Sequence, residues 1–279
     1  MNCDLHNHSI YSDGSLTPAE LVAEAKKRDL VIALTDHNTT AGLPEFLEEA
    51  EKQGVTAVAG IELSTQYEGR ELHLLCLFVK PEHYAMLEDI CQDLYRKKEI
   101  NNIELVERLN QAGYHVDYQE VCRRYPNGNI NRAHIAAELL RNGYVPSVKA
   151  AFATLLKTGN GFYIPPQRLE LMDGIRLVRS IGAVSVLAHP LQELTEEQLR
   201  RLLPEAVEAG LVGMEVMHST YDNEKIALAC QIAEDFGLLK SGGSDFHGQT
   251  KPTVQMGVGE GNLSIPLEYY EELLKKAEK

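Results

Sequence analysis

Residues 3–18 read Cys-Asp-Leu-His-Asn-His-Ser-Ile-Tyr-Ser-Asp-Gly-Ser-Leu-Thr-Pro. The short run Cys3–His6 predicts a strand, and His6 and His8, two apart at its end, point to one face. Two imidazoles on one face can share a metal ion. Asp13 follows in a turn stabilised by Gly14, close enough to serve a neighbouring ion. Thr17 then supplies an N-cap, Pro18 the first helical position and Glu20 the far side of a capping box, so a helix over Thr17–Arg28 is expected. His-x-His alone is a weak signal, because a polar loop carries incidental histidines as readily. The fold is decided by the recurrence of strand, polar cluster and helix along the chain.

Further apolar, β-branched runs predict strands over Val31–Thr35, Thr56–Leu63, Leu72–Val79, Ala183–Ala188, Leu211–Met217 and Leu238–Ser241. Helical patterns lie between most of them or follow: Leu43–Gln53, Met172–Ile181, Glu196–Ala209, Asn223–Phe236 and Leu267–Ala277. Gly54, Gly182, Gly210 and Gly237 stand where helix ends need a left-handed residue. This alternation implies an α/β fold with a mostly parallel sheet, open or closed. It breaks once. From about Glu82 to Thr158 only loops and the helices Glu82–Ala112, Tyr118–Arg124, Arg132–Arg141 and Ser147–Lys157 are expected. The organisation expected is a first α/β part over 1–80, a helical insertion over 81–165 and a second α/β part over 166–279, with hinges at Pro81 and 159–166.

Other strand ends carry chemistry too. Asp36-His37 follows the second strand, and Glu62 emerges from the apolar Val55–Ile61 run, where a carboxylate is costly unless paired or bound to a cation. If Ser64–Arg70 closes a hairpin centred on Tyr67 and Glu68, Glu62 and His73 lie opposite each other. His189 ends the run Val186–Ala188 and is followed by Pro190; Asp245 and His247 follow the Gly242-Gly243 pair, which permits close backbone approach. Each cluster has a bland explanation alone. Together His6, His8, Asp13, His37, Glu62, His73, His189, Asp245 and His247 sit at strand ends or just beyond them, where the loops of α/β folds converge. Six imidazoles and three carboxylates suit two or three borderline divalent ions such as Mn, Fe or Zn, and poorly suit Ca or Mg alone.

Composition narrows the partners. The 279 residues carry 27 Lys and Arg against 41 Asp and Glu, a formal net charge of −14, so long nucleic acid and anionic membrane are poor partners. The longest apolar run, Leu74–Val79, is far below a membrane span, and the N-terminal residues show no secretory signal. Five scattered cysteines without a C-x-x-C pair suit a reduced, cytoplasmic setting. No G-x-S-x-G elbow, P-loop or dinucleotide glycine turn is present.

The stretches DLHNHSIYSDGSLTP, ALTDHNTT, AGIELS, LHLL, LAHP and GGSDFHG resemble, in order, the motifs of the PHP (polymerase and histidinol phosphatase) family of metal-dependent phosphoesterases. The resemblance spans 3–80 and 183–248. The insertion, with Asn131-Arg132-Ala133-His134-Ile135, looks like the branch containing nucleoside 3′,5′-bisphosphate phosphatases, some described as 5′-end-directed ribonucleases. It implies a distorted (β/α)7 barrel of PHP type with three metal sites. His6, His8, Glu62 and Asp245 would hold the first ion. Glu62, His73 and His189 would hold the second, and Asp13, His37 and His247 the third. A hydroxide bridging two ions is the expected nucleophile, with Asp13, His37 and His247 also counted as catalytic.

For substrate, Arg132 is favoured as a bidentate phosphate contact with Asn131 and His134 as helpers, although His134 equally suits a structural place in the amphipathic helix start. Asp36 is expected to orient a ligand, and Arg96-Lys97-Lys98 to be a solvated face. Phe162 and Tyr163 could stack on a base, with core packing the default. His83, His115 and His218 lie in no motif and are set aside. The leading reading is removal of the 3′-phosphate from nucleoside 3′,5′-bisphosphates. The alternatives are a cyclic phosphodiesterase, a histidinol-phosphate-type phosphatase, a 5′-to-3′ exoribonuclease on short RNA, and last a non-catalytic metal-binding module.

Overall fold

The computed structural model describes residues 2–278 apart from 126–129, 158, 160, 161, 166 and 167, and within it the expected strands pair into one sheet. They are β1 (Asn2–Asp4), β2 (Leu30–Leu34), β3 (Ala57–Tyr67), β4 (Arg70–Leu77), β6 (Val184–Leu187), β7 (Gly213–His218) and β8 (Leu239–Gly243). A two-residue strand, β5 (Leu169–Glu170), joins the side of β3. The spatial order is β1-β2-β3-β4-β6-β7-β8, parallel throughout except that β4 runs against both its neighbours. Past the strand ends, Leu5 N–H donates to Gly242 O (3.1 Å), Asp245 N–H to His6 O (3.0 Å) and His8 N–H to Phe246 O (2.9 Å). These bonds lay β8 beside β1, and the sheet is a nearly closed barrel.

The β3–β4 hairpin turns on Glu68 (φ 49°) and Gly69 (φ 76°). Two successive left-handed residues make the turn whose twist matches the strands, and Gly takes the second at little cost. The turn thus falls one residue beyond the expected centre. Glu62 pairs with Leu75 and His73 with Ser64, so Glu62 and His73 are diagonal neighbours rather than opposite. A shift of two residues keeps side-chain parity, and both still point to the same face.

Alternate strand residues pack in opposite directions. Cys3, Val31, Ala33, Val58, Leu75, Val184 and Val186 form one core with Ile265 and Leu273. Ile32 and Leu34 instead meet Leu21, Val22 and Ala25 of the helix Pro18–Arg28 and Phe46 and Ala50 of the helix Leu43–Gln53. Thr17 and Glu20 form the expected capping box, and Gly54 and Gly210 cap their helices in the left-handed region.

The chain divides into two compact units, Met1–Cys91 with Arg168–Lys279, and Gln92–Gln167. The second is helical. It contains most of the helix Tyr84–Gln111 together with Tyr118–Arg124, Arg132–Arg141 and Val148–Ala153, the last three N-capped by Asp117, Asn131 and Ser147. Its own core includes Leu105, Leu109, Val121, Ile135, Leu139 and Leu156. The hinge expected at 159–166 falls partly outside the described residues. Among the described residues, no helix is long and apolar enough to cross a membrane.

Candidate metal centre

Glu62 organises the site. Its carboxylate is fully buried, and five imidazoles surround it. Oε2 lies 3.1 Å from His6 Nε2, 3.2 Å from His8 Nε2 and 3.1 Å from His37 Nδ1. Oε1 lies 2.8 Å from His73 Nδ1 and 3.1 Å from His189 Nε2. Asp245 Oδ1 approaches His8 Nε2 at 3.1 Å and His6 Nε2 at 3.6 Å, while Asp13 Oδ1 approaches His247 Nε2 at 3.1 Å. Asp13 Oδ2 lies 3.9 Å from His37 Nε2. The fold thus gathers all nine candidate ligands, in overlapping groups such as His6, His8 and Asp245, or His8, Asp13, His37 and His247.

The protons on these rings are placed by their outer partners. His6 Nδ1 faces Glu215 Oε1 at 3.0 Å, so that nitrogen donates. His247 Nδ1 faces the carbonyl of Asp245 at 2.7 Å and donates as well. His8 Nδ1 lies 3.4 Å from Ser12 Oγ, whose hydroxyl is committed to Asp36 Oδ1 at 2.5 Å. With Nδ1 protonated, the neutral rings turn Nε2 lone pairs toward carboxylate oxygens. His6 Nε2, His8 Nε2 and Glu62 Oε2 are buried and make no hydrogen bond. Lone pairs facing carboxylates at such distances require a cation between them, and imidazole nitrogen with carboxylate oxygen is the donor set of a borderline divalent metal. The residues fit metal ions.

Without metal, protons take that place. Burial disfavours the imidazolium of His6, yet Glu62 and Glu215 outweigh it and hold its pKa well above the ordinary value. His8 is likewise raised to about 9 and His73 to about 10, both against their burial. His37 goes the other way, to about 4, because burial and the neighbouring His8 and His73 charges exceed the pull of Glu62. Glu62 and Asp245 are held well below the usual carboxylate range despite burial, by the surrounding histidines.

The backbone is shaped for these contacts. His189 (φ 28°) and Asp245 (φ 57°) hold positive φ without being glycine, a strain of about 1–3 kcal/mol each. At Gly243 a Cβ would fall 2.1 Å from His6 Cβ and 2.7 Å from His6 N, so only glycine lets β8 lie against His6. Asp36 accepts from Ser9 N (2.7 Å) and Ser9 Oγ (2.6 Å) as well as from Ser12, whose hydroxyl oxygen lies 3.4 Å from His8 Nδ1.

Sequence reasoning missed three neighbours of the cluster. Glu215, buried within β7, accepts from His6 and also from His189 N–H at 2.7 Å. His218, set aside above, is buried with Nε2 3.6 Å from Asp245 Oδ2. Lys251 Nζ lies 2.6 Å from the same oxygen. A charge inside an apolar strand and a histidine ending one were the signals that singled out Glu62 and His189, and they also mark Glu215 and His218.

Asn131, Arg132 and His134 start a helix of the second unit. Asn131 is the N-cap, accepting from Ala133 N and His134 N, and His134 Nδ1 accepts in return from Asn131 N at 3.1 Å. The Arg132 guanidinium lies 4.0 Å from the Tyr163 ring centroid and 5.5 Å from that of Phe152. Tyr163 is core, and Arg96 and Lys97 pair with Asp93 on their own helix.

Residues 4–167 match the PHP domain family. The chain is 33% identical over 259 residues to the 5′-3′ exoribonuclease Rnm of Salmonella typhimurium, covering 91% of this chain and 87% of that protein. It is 33% identical to a phosphoribosyl 1,2-cyclic phosphate 1,2-diphosphodiesterase of Eggerthella lenta, covering 88% and 94%. It is 31% identical to a 3′,5′-nucleoside bisphosphate phosphatase of Chromobacterium violaceum, covering 88% and 87%. A solved structure from Bifidobacterium adolescentis, assigned as a metal-dependent phosphoesterase, superposes with a TM-score of 0.72 at 30% identity, covering 98% of this chain and 96% of that one.

Proposed function

This chain belongs to the PHP domain family and is a phosphoesterase, and we propose that it removes the 3′-phosphate of nucleoside 3′,5′-bisphosphates. The observation that carries the reading is the set of inward-turned Nε2 lone pairs on His6, His8 and His247, facing Glu62, Asp245 and Asp13. His6, His8, Glu62 and Asp245 are proposed to hold one divalent ion, Glu62, His73 and His189 a second, and Asp13, His37 and His247 a third, with Mn, Fe or Zn as the candidates. Such ions, when bound, supply an activated water and neutralise phosphoryl charge.

The chain's own groups divide the remaining work. Asp13, with half its side chain exposed, and His37 form the most open flank of the cluster, where a phosphoryl group can enter. Lys251 brings an ammonium to Asp245 and can turn from it to a phosphoryl oxygen. Within the helical unit, Arg132, its guanidinium held against Tyr163, is proposed as a phosphate contact with Asn131 and His134 as helpers.

A nucleoside 3′,5′-bisphosphate and the 5′ end of an RNA present the same arrangement, a free 5′-phosphate and a phosphate ester at O3′. Cleavage at the 3′ phosphate yields the nucleoside 5′-monophosphate in both cases. One recognition mode therefore accounts for relatives named as a bisphosphate phosphatase and as a 5′-3′ exoribonuclease. The net charge of −14 favours the small substrate or short RNA over long chains. Five free cysteines suit the reducing cytoplasm proposed as its location.

The test is phosphate release from adenosine 3′,5′-bisphosphate by Mn-loaded protein beside a chelated sample, with the nucleotide product identified. The proposal expects chelator-sensitive release yielding 5′-AMP. Absence of release with two or more ions bound per chain rejects it in favour of cyclic phosphodiesters or RNA ends, the substrates that the names of the Eggerthella and Salmonella relatives indicate for those proteins.

A further inference from the structure

His218 ends β7 and is buried against the cluster, yet its proton sits on the opposite nitrogen from those of His6, His8 and His247. The Thr220 backbone N–H donates to His218 Nδ1 at 3.2 Å, and the Gln192 amide nitrogen lies 3.1 Å from the same atom. A backbone N–H can only donate, so Nδ1 is the acceptor and the neutral ring carries its hydrogen on Nε2. His218 therefore presents an N–H where the ligand histidines present lone pairs, and it cannot bind a metal through that nitrogen in this tautomer.

This Nε2–H is buried and makes no hydrogen bond. Leaving a buried donor unsatisfied is costly, so a nearby acceptor is strongly favoured. The carboxylate oxygen it approaches is Asp245 Oδ2, at 3.6 Å. The two oxygens of Asp245 are differently placed: Oδ1 faces His6 Nε2 and His8 Nε2, whereas Oδ2 faces His218 and Lys251. Lys251 is 43% exposed at its side chain and free to follow a phosphate, while His218 is fixed by Thr220 and Gln192.

We propose that His218 is a positioning residue that donates its Nε2–H to the outer oxygen of Asp245 in the metal-loaded protein, holding Asp245 as a one-oxygen ligand with Oδ1 toward the ion. The inference rests on the metal-centre reading but not on the identity of the substrate. Second partners of this kind are worth 10–100-fold in metal affinity.

The experiment titrates Mn2+ alone into chelator-stripped protein, with free Mn2+ read by electron paramagnetic resonance, for His218→Phe, His218→Asn and His218→Gln. Glutamine can place an amide N–H near the Nε2 position, whereas asparagine is too short and phenylalanine has no donor. The expected result is about a 10–100-fold loss of affinity for one ion in the Phe and Asn variants, with Gln within a few-fold of the parent. If the Phe variant does not fold, the Gln–Asn difference decides. Equal affinities in Gln and Asn overturn the proposal. So does unchanged Mn2+ binding accompanied by a raised KM for adenosine 3′,5′-bisphosphate, which would make His218 a direct substrate contact. Failure of the parent protein to hydrolyse that nucleotide leaves the Mn2+ comparison intact, so the two readings fail separately.

Discussion

His6 Nδ1 and Glu215 Oε1 lie 3.0 Å apart, both side chains fully buried, and this contact sets which nitrogen of His6 faces Glu62. Glu215 also holds the backbone N–H of His189. Glu215→Gln keeps an acceptor but loses the charge that makes His6 a better ligand. About a 10–100-fold fall in metal affinity is expected, measurable by competition with a chelator. Glu215→Ala also strands two buried N–H donors at about 1–3 kcal/mol each, which a denaturant melt of the metal-free protein should show. Unchanged affinity in both variants would separate Glu215 from the metal centre.

Gly243→Ala places a methyl where His6 Cβ already lies, 2.1 Å away. His6 or β8 must move, so the variant should lose metal binding and about 1–3 kcal/mol of stability by overpacking. Gly237→Ala is the control. Its φ of 65° is also left-handed but nothing lies within 4 Å of the added Cβ, so it should cost about 1–2 kcal/mol and bind metal normally. Normal metal content in the Gly243 variant would contradict the close packing of β8 on His6.

Lys251→Ala removes an ammonium that reaches the cluster from outside. Charge-assisted hydrogen bonds contribute about 1.5–3 kcal/mol, so KM for a nucleoside bisphosphate should rise roughly 10–100-fold, with metal content preserved. An unchanged KM would remove Lys251 from substrate binding.

Metal loading should release protons. In the metal-free protein His8, at about 9, and His73, at about 10, carry protons at pH 7, whereas metal ligation needs neutral rings. Affinity should therefore climb as pH rises toward these values and fall as it drops, and Mn2+ added to an unbuffered solution at pH 7 should acidify it. A titration without proton release would show that the rings are already neutral.

Much of this was legible because the signals are local. The helices Leu43–Gln53 and Glu196–Ala209 have their expected bounds, set by glycine left-handed caps at Gly54 and Gly210. Seven of the nine candidate ligands stand in short clusters just beyond strand ends, whereas Glu62 and His73 lie within the strands β3 and β4, because the hairpin pairs on to Tyr67 and Arg70. The hairpin register was not legible, because it depends on Glu68 rather than Tyr67 taking the left-handed conformation beside Gly69. Nor was the approach of Lys251 to Asp245, which depends on how the loop after His247 folds back, pinned by Gln249 N–H to Ser15 Oγ at 2.7 Å. Glu215 and His218 were within reach, since one strand carries both and they show the same signals as Glu62 and His189, a charge inside an apolar strand and a histidine ending one.

The most direct measurement is metal content and hydrolysis of adenosine 3′,5′-bisphosphate determined on the same samples, for the parent chain and for Glu62→Gln. Two to three divalent ions per parent chain are expected, fewer in the variant, with turnover lost alongside them while the fold is retained. Full turnover by chelated parent protein free of metal, or by a Glu62→Gln variant, would contradict this expectation.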